Sequence, residues 1–303
     1  MFQDRQPRAF LDPHILARLA CLPLFARRAM QGNISGRHTS PNRGSSVEFA
    51  EYRKYVPGDD LRRLDWRAYG RTDRFYVKEF EADTNLRCTL VIDTSGSMDY
   101  GSGTETKLTY AQKIAASLAY LAIQQGDAVG LSSVAAGIVT HIPPRRNPAH
   151  LSLIFDTLEQ IRCGGETHLA SVLHELAETT AQRALVVVIS DFFIDPAELR
   201  SCFEHLRFRK HDLALFHLLD PQEIDFQFQR PTRFLDMEGG TAIFAEPNEI
   251  ADRYQAALHE YLTKLNQVVL ETGVDYHRVR IDEAYDQVLM RFLMGRASSR
   301  GVR

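Results

Sequence analysis

Two long runs of apolar residues predict the buried strands of a parallel sheet. Residues 86–93 (LRCTLVID) and 184–190 (ALVVVIS) are almost continuously apolar, as expected for strands that are covered on both faces. Between and after them, segments with apolar residues at helical spacing alternate with shorter apolar runs. Alternation of strands and helices is typical of a parallel sheet with helices on both faces. The pattern therefore predicts a doubly wound, mainly parallel α/β fold.

Shorter periodic stretches predict the remaining elements. Strands are expected over residues 75–80, 127–134, 137–142 and 212–219. Helices are expected over residues 14–31, 107–125, 148–162, 168–182, 196–208, 247–272 and 282–294. Residues 32–46 are rich in Gly, Ser, Asn and Arg, which is typical of a loop. The basic residues 295–303 are expected to form a solvated tail.

The change of pattern along the chain predicts three parts. Residues 1–83 are expected to form an N-terminal extension that packs on the sheet, residues 84–281 the α/β domain, and residues 282–303 a C-terminal helix and tail. A chain of 303 residues is long enough to bury a sizeable core.

Composition narrows the class of protein and of partner. Hydrophobic residues make up 44% and charged residues 25%, which excludes a wholly disordered chain. The net charge of −3 gives no basic excess, so a nucleic-acid partner is not expected. The most apolar early stretch, residues 15–26, is interrupted by Arg18 and is too short to span a membrane. The four cysteines form no C-x-x-C pair, so no disulfide framework is expected and a cytoplasmic location is predicted.

A hydroxyl-rich motif follows the first buried strand. Asp93, Ser95 and Ser97 alternate in the sequence D-T-S-G-S, so their oxygens can point to one side of an extended loop. Loops at the carboxyl ends of parallel strands form the ligand crevice of an open α/β sheet. Carboxylate and hydroxyl oxygens suit a hard cation such as Mg²⁺, Ca²⁺ or Mn²⁺. The sequence therefore predicts a site for a hard ion at this edge.

Two later segments supply further oxygens. Thr167 lies in the glycine-rich stretch C-G-G-E-T-H that opens a helix, and Asp191 follows the second buried strand. Serine and aspartate after a strand also cap helices or close turns, so a purely structural role is the alternative. A complete site could also bind an ion only to brace its own loops.

The five oxygen-bearing residues together resemble the metal-ion-dependent adhesion site of von Willebrand factor A domains. They are Asp93, Ser95, Ser97, Thr167 and Asp191. That family's pattern is D-x-S-x-S followed by a later Thr and a later Asp, each on its own loop. The resemblance covers about residues 84–281. It implies a divalent ion that keeps one open position, which an acidic residue of a partner protein can fill.

A second resemblance lies upstream. Residues 51–81 (EYRKYVPGDDLRRLDWRAYGRTDRFYVKEFE) are similar to the signature of the bacterial family called domain of unknown function 58, with Leu64 where the family usually has Ile. Members join this block to a von Willebrand factor A-like domain. They are commonly encoded near MoxR-type AAA+ ATPases, so the resemblance implies such an ATPase, with a client protein, as the partner.

The mixed charges of this block leave two interpretations open. The block mixes acidic and basic residues closely, which favours an ion-pair network that braces the chain. These residues are Asp59, Asp60, Arg62, Arg63, Asp65, Arg67, Arg71 and Asp73. Alternatively, the arginines and Trp66 form a docking surface, since both residue types are enriched at interface hot spots.

Two function classes follow. The first is a metal-dependent protein-binding adaptor, which is not an enzyme. The alternative is a metal-dependent hydrolase that uses the same ion as a Lewis acid. The chain has no P-loop, no G-x-S-x-G elbow and no H-E-x-x-H motif, which favours the adaptor.

Overall fold

The structure, a computed structural model, describes residues 8, 10–24, 26, 48–54, 69–71, 75–81, 86–228, 230–240 and 242–298. The chain divides into two compact units, of which the larger comprises Met1–Arg27 and Arg87–Arg303 and the smaller Arg28–Leu86. The loop expected over residues 32–46 and most of the charged block, residues 55–68, lie outside the described residues. The division into three parts stays a prediction.

The strands are numbered along the described chain. They are β1 Glu48–Lys54, β2 Tyr76–Glu81, β3 Arg87–Asp93, β4 Ala128–Val134, β5 Ile138–Arg145, β6 Leu185–Ser190, β7 Asp212–Leu219, β8 Thr232–Phe234, β9 Ile243–Ala245 and β10 Asp275–Arg280. In the smaller unit, β1 and β2 pair as antiparallel strands.

The larger unit is built on a six-stranded sheet with the order β10-β7-β6-β3-β4-β5. Every neighbouring pair is parallel except β4 with β5, which is antiparallel. The strand β5 carries Pro143 and Pro144 and lies at the sheet edge, where a missing backbone donor is tolerated. The apolar strands β3, β6 and β7 are interior and almost fully buried. The predicted mixed α/β fold with a mainly parallel sheet is confirmed.

The helices are α1 Pro13–Leu19, α2 Lys107–Gln124, α3 Pro148–Gln160, α4 Leu169–Thr179, α5 Pro196–Phe208, α6 Pro221–Asp225, α7 Pro247–Thr272 and α8 Tyr285–Ser298. One sheet face is covered by α4, α5 and α7, whose Leu173, Phe203 and Leu265 pack with Val91 and Val188. The other face is covered by α2, which contacts α1, α3 and α8. Several helices begin with proline at their first position, as in α5 and α7, because proline there loses no hydrogen bond.

Both ends of the larger unit differ from the sequence prediction. The first helix ends at Leu19, so the prediction that it extends to residue 31 is wrong. Pro23 opposes such an extension, because the residue before a proline disfavours helical geometry. The last helix continues to Ser298, so the tail predicted to begin at residue 295 is wrong over its first residues. Arg296 is 1% exposed there, because Asp212 and Asp275 pair with it.

Candidate metal site

The sheet register brings two predicted ligands to one edge. The strands β3 and β6 are adjacent and parallel, with Ile92 opposite Ile189. Asp93 ends β3, and Asp191 follows the last residue of β6 directly. Both residues are almost fully buried, at 0% and 2% exposure. The two carboxylates therefore lie at neighbouring carboxyl ends, as the sequence predicts.

Asp93 is held in place by its own loop and by β6. Its Oδ1 accepts a hydrogen bond from the backbone N–H of Ser95 at 3.0 Å, and its Oδ2 accepts one from the hydroxyl of Ser190 at 2.6 Å. Burial, followed by the charge of Asp191, raises the pKa of Asp93 to about 6, although these hydrogen bonds act in the opposite direction. A bound cation would reduce the electrostatic cost of keeping Asp93 charged.

The two serines of the motif lie together beside Asp93. The hydroxyl oxygens of Ser95 and Ser97 are 3.0 Å apart. Ser95 is fully buried, whereas Ser97 is partly exposed. The first three predicted ligands therefore form one cluster.

Thr167 lies on a loop that is tied to the motif through the backbone. The N–H of Gly164 donates to the carbonyl of Thr94, and the N–H of Gly96 donates to the carbonyl of Gly165, both at 3.0 Å. Gly165 has φ +77°, a left-handed conformation that favours glycine. The Oγ1 of Thr167 is buried and has no hydrogen-bond partner among the described residues, so it does not bond to the other four predicted ligands. A buried, unpaired hydroxyl is costly, and this oxygen suits an ion or its water shell.

Lys107 is a charged residue beside Asp191 that the sequence pattern did not assign to the site. Its ammonium nitrogen lies 2.6 Å from Oδ2 of Asp191 and 2.7 Å from Oε1 of Glu223, with the lysine side chain fully buried. Burial alone would lower the pKa of Lys107, but the two acids outweigh it and raise that pKa. The signal was available, since Lys107 shares the apolar stripe of α2 with Ala111 and Ile114.

Glu238 is a second acid that the sequence pattern did not place, and it lies in the turn between β8 and β9. Burial raises the pKa of Glu238, and the charges of Asp191 and Asp93 raise it further. The turn lies so close that a Cβ atom at Gly96 would be 1.9 Å from the carbonyl oxygen of Met237. The sequence pattern predicts no element in this part of the chain.

The donor set fits a hard divalent cation. It consists of carboxylates and hydroxyls, without sulfur or imidazole, which is the preference of Mg²⁺, Ca²⁺ and Mn²⁺. No group of three or more His, Cys, Asp or Glu side chains is placed to hold a metal, as far as the described residues extend. The candidate site is not a group of this kind, because it has two acids and its other three oxygens come from serine and threonine.

The fold and this edge of the sheet define a mixed α/β protein with buried acids and hydroxyls at the carboxyl ends of adjacent parallel strands. Residues 51–261 match the family described as "Protein of unknown function DUF58", and the chain belongs to that family. The resemblance of the upstream block to this family is thereby confirmed.

Relatives of similar length occur in mycobacteria. The chain is 26% identical over 289 residues to an uncharacterized protein of Mycobacterium bovis, with 94% of this chain and 90% of the relative covered. The same values hold for an uncharacterized protein of Mycobacterium tuberculosis.

Two solved structures show low similarity. A conserved hypothetical protein, BatB from Bacteroides thetaiotaomicron, matches at 14% identity with a TM-score of 0.46. An aerotolerance-related membrane protein from Bacteroides fragilis matches at 17% identity with a TM-score of 0.47. Each match covers 71% of this chain and 100% of the other. Within the described part of this chain, no helix is both long and apolar enough to cross a membrane.

Proposed function

We propose that the larger unit is a von Willebrand factor A-like domain that acts as a metal-dependent protein-binding adaptor. The ion would be Mg²⁺, Ca²⁺ or Mn²⁺. It would be held, directly or through water, by Asp93, Ser95, Ser97, Thr167 and Asp191. The bound ion would supply an open coordination position to an acidic residue of a partner protein.

The observation that carries this proposal is the buried pair of acids at the ends of β3 and β6. Asp191 has Lys107 as a counter-ion, but no cation among the described residues pairs with Asp93. Burying an uncompensated carboxylate is unfavourable unless its charge is balanced or it takes up a proton. A divalent ion beside Asp93 would balance the charge and would also give the buried Thr167 hydroxyl a partner.

The residues of the site have distinct roles in this proposal. Ser190 and the N–H of Ser95 fix both oxygens of Asp93, so the carboxylate is oriented before any ion arrives. Lys107 orients Asp191 through its Oδ2. Since most ligands are neutral hydroxyls, a doubly charged ion here would retain an affinity for one more anionic oxygen.

We further propose a MoxR-type AAA+ ATPase, together with a client protein, as the partner. The support is the resemblance of residues 51–81 to a family whose members are commonly encoded near such ATPases.

Calorimetry with Mg²⁺ and binding to the purified MoxR-type ATPase from the same genome test the proposal. Wild type should bind Mg²⁺ and should lose the partner in EDTA. Asp93→Ala should weaken partner binding about 30-fold to several-thousand-fold, because losing a buried charge-assisted contact costs about 2–5 kcal/mol. Glu246→Ala, at an exposed residue outside the site, is the control.

Unchanged Mg²⁺ binding by Asp93→Ala would contradict the metal site. Equal partner binding in Mg²⁺ and in EDTA would show that the ion only stabilises its own loops and does not bind the partner. Metal-dependent turnover in a phosphatase and esterase screen of the same preparations would favour the hydrolase instead.

A further inference from the structure

An apolar groove lies beside the candidate site, between the segment that follows β6 and the long helix α7. The segment contributes Phe193 and Ile194, which come shortly after Asp191 in the chain. The helix α7 contributes Leu258 and Tyr261. The groove has a volume of about 350 Å³, which is at the lower end of the range for ligand sites. It therefore has room for a large side chain of another molecule.

The aromatic rings of the groove are held in place by neighbouring groups. The ammonium nitrogen of Lys107 lies over the ring of Phe193, 5.5 Å from its centre, and the ring of Tyr261 is 5.9 Å from the same ring. Tyr254 also lines the groove, and its hydroxyl donates a hydrogen bond to the carbonyl of Glu223 at 2.8 Å. A groove whose walls are already ordered loses little conformational freedom when it binds a ligand.

Aromatic stacking connects the groove with the hairpin formed by β8 and β9. Phe226 stacks on Tyr254 with ring centres 4.5 Å apart, and on Phe234 of the hairpin at 5.7 Å. The turn of this hairpin meets the D-T-S-G-S loop, where a Cβ atom at Gly96 would lie 1.9 Å from the carbonyl oxygen of Met237. The groove, the hairpin and the candidate site therefore form one connected region of the larger unit.

This region exposes large apolar side chains. Phe193 is 44% exposed, and Ile243 and Phe244 of the hairpin are 63% and 73% exposed. Exposed apolar residues that cluster in this way mark sites of interaction with other molecules, and aromatic residues are enriched at protein interfaces. The region therefore has the character of a protein-binding surface.

The groove lies within a short distance of the candidate site. The ammonium nitrogen of Lys107 is 2.6 Å from Oδ2 of Asp191 and 5.5 Å from the ring centre of Phe193. The ring centre is thus no more than about 8 Å from that oxygen, a span that two or three residues of an extended segment cover. In an extended segment, side chains two residues apart point to the same side. One segment can therefore reach the site and the groove together.

We propose that the groove binds a large apolar side chain of the same partner segment whose acid reaches the ion. The segment is extended and carries Asp or Glu two residues from Leu, Ile, Met, Phe or Trp. Charge complementarity calls for the acid, since Asp93 and Asp191 mark a cation position that an anion completes. The apolar lining calls for the second residue. This inference rests on the proposed function of the candidate site and specifies the chemistry of the partner.

Two neighbouring alanines of α7 provide a matched pair of variants. Ala257 lines the groove, whereas Ala256 does not, and both residues are exposed. Ala257→Glu places a charged side chain in the groove, and Ala256→Glu adds the same charge one residue away. Because neither residue is buried, both variants should keep the fold, which thermal unfolding in EDTA checks. Any difference in binding between them then reports the groove and not the added charge.

Selection from a random peptide library displayed on phage tests the proposal. The full chain is immobilised in Mg²⁺, and bound phage are eluted with EDTA. We expect eluted peptides to carry Asp or Glu two residues from a large apolar residue. The corresponding synthetic peptide should bind wild type and Ala256→Glu alike and should not bind Asp93→Ala. It should bind Ala257→Glu about 10- to 100-fold more weakly, the factor that one large apolar side chain left unburied gives.

A change in the peptide completes the test. Replacing its apolar residue by Ser should weaken binding to wild type by the same factor, but should have little effect on binding to Ala257→Glu. This non-additivity is expected only if the two residues meet.

The other outcomes separate this inference from the proposed function. Eluted peptides with an acid but no apolar residue at a fixed spacing, or equal binding by Ala256→Glu and Ala257→Glu, would overturn the groove and leave the metal site standing. If EDTA elutes no enriched peptides, both ideas fall. Apolar peptides that bind equally well in EDTA would overturn the paired recognition. A wild-type dimer in light scattering that Ala257→Glu converts to a monomer would assign the groove to a second copy of the chain instead.

Discussion

The ammonium nitrogen of Lys107 lies 2.6 Å from Oδ2 of Asp191, and the two side chains are 0% and 3% exposed. A second acid, Glu223, also forms an ion pair with Lys107 and accepts a hydrogen bond from the backbone N–H of Asp220. This buried network places one fixed positive charge on the Asp191 side of the candidate site and none on the Asp93 side among the described residues. The asymmetry is what makes the proposed cation position next to Asp93 reasonable.

Lys107→Met should destabilise the fold strongly. The substitution keeps the length of the side chain but leaves two acids buried without their cation, and breaking a buried pair in this way costs about 3–5 kcal/mol. Urea unfolding in EDTA measures the loss. Mg²⁺ should recover more stability in this variant than in wild type, because the ion replaces part of the missing charge.

Lys264→Met is the matched control for that experiment. Lys264 pairs with Glu260 on the exposed side of α7, where solvent screens the interaction. We expect its unfolding curve to overlay that of wild type. A similar small effect of Lys107→Met would show that the buried network carries no stability.

Asp93→Asn should change the pH dependence of stability in the absence of metal. The folded protein holds the proton of Asp93 more tightly than the unfolded chain, with a pKa of about 6 against 3.8. Its contribution to stability is therefore complete below pH 3.8 and is lost as the pH rises through about 6. At 1.36 kcal/mol per pKa unit, the loss in wild type approaches about 3 kcal/mol.

The asparagine side chain of this variant does not titrate, so the unfolding free energy of Asp93→Asn should rise relative to wild type between pH 4 and pH 7. Urea titrations in EDTA across this range measure the difference. With saturating Mg²⁺ the order should reverse, because only wild type has the charged ligand. Parallel pH curves for the two proteins would contradict the assignment of a protonated, repelled carboxylate.

Arg296→Met should detach the last helix from the sheet. Arg296 is buried, with Nη1 2.8 Å from Oδ2 of Asp212 and Nε 3.0 Å from Oδ2 of Asp275. The arginine bridges β7 and β10, and its loss should cost about 3–5 kcal/mol in urea unfolding. Arg280→Met, which breaks a half-exposed pair with Asp282, is the control and should cost less than about 1 kcal/mol. Equal effects of the two variants would show that the ion pairs of Arg296 do not hold the last helix to the sheet.

Much of the fold was predictable because its strands are apolar and its helices have clear starts. The buried strand before Asp93 was predicted from continuous apolar residues, and α5 and α7 were predicted with the observed bounds. The strand β10 was missed, since D-Y-H-R-V-R is largely polar. Within the described sheet it lies at the edge beside β7 and is only partly buried, so most of its residues need not be apolar.

The candidate site was predictable only in part. Asp93 and Asp191 follow the two most apolar strands, so their meeting at one edge follows from parallel pairing alone. Lys107 shares the apolar stripe of α2, but the general rule that lysine is exposed argues against a buried position for it. Glu238 could not be placed, because its hairpin has strands of three residues and its position depends on an aromatic anchor far along the chain.

Gly96→Ala should release the hairpin turn without altering a charge. An added Cβ would lie 1.9 Å from the carbonyl oxygen of Met237, a backbone atom that cannot rotate away, so the turn must shift. We expect a loss of about 1–3 kcal/mol, as for other overpacked contacts, and faster chymotryptic cleavage at Phe244. Gly137→Ala is the control, because a Cβ there meets nothing within 4 Å. Cleavage at the rate of the control would show that the turn stays docked and that the close approach at Gly96 does not position it.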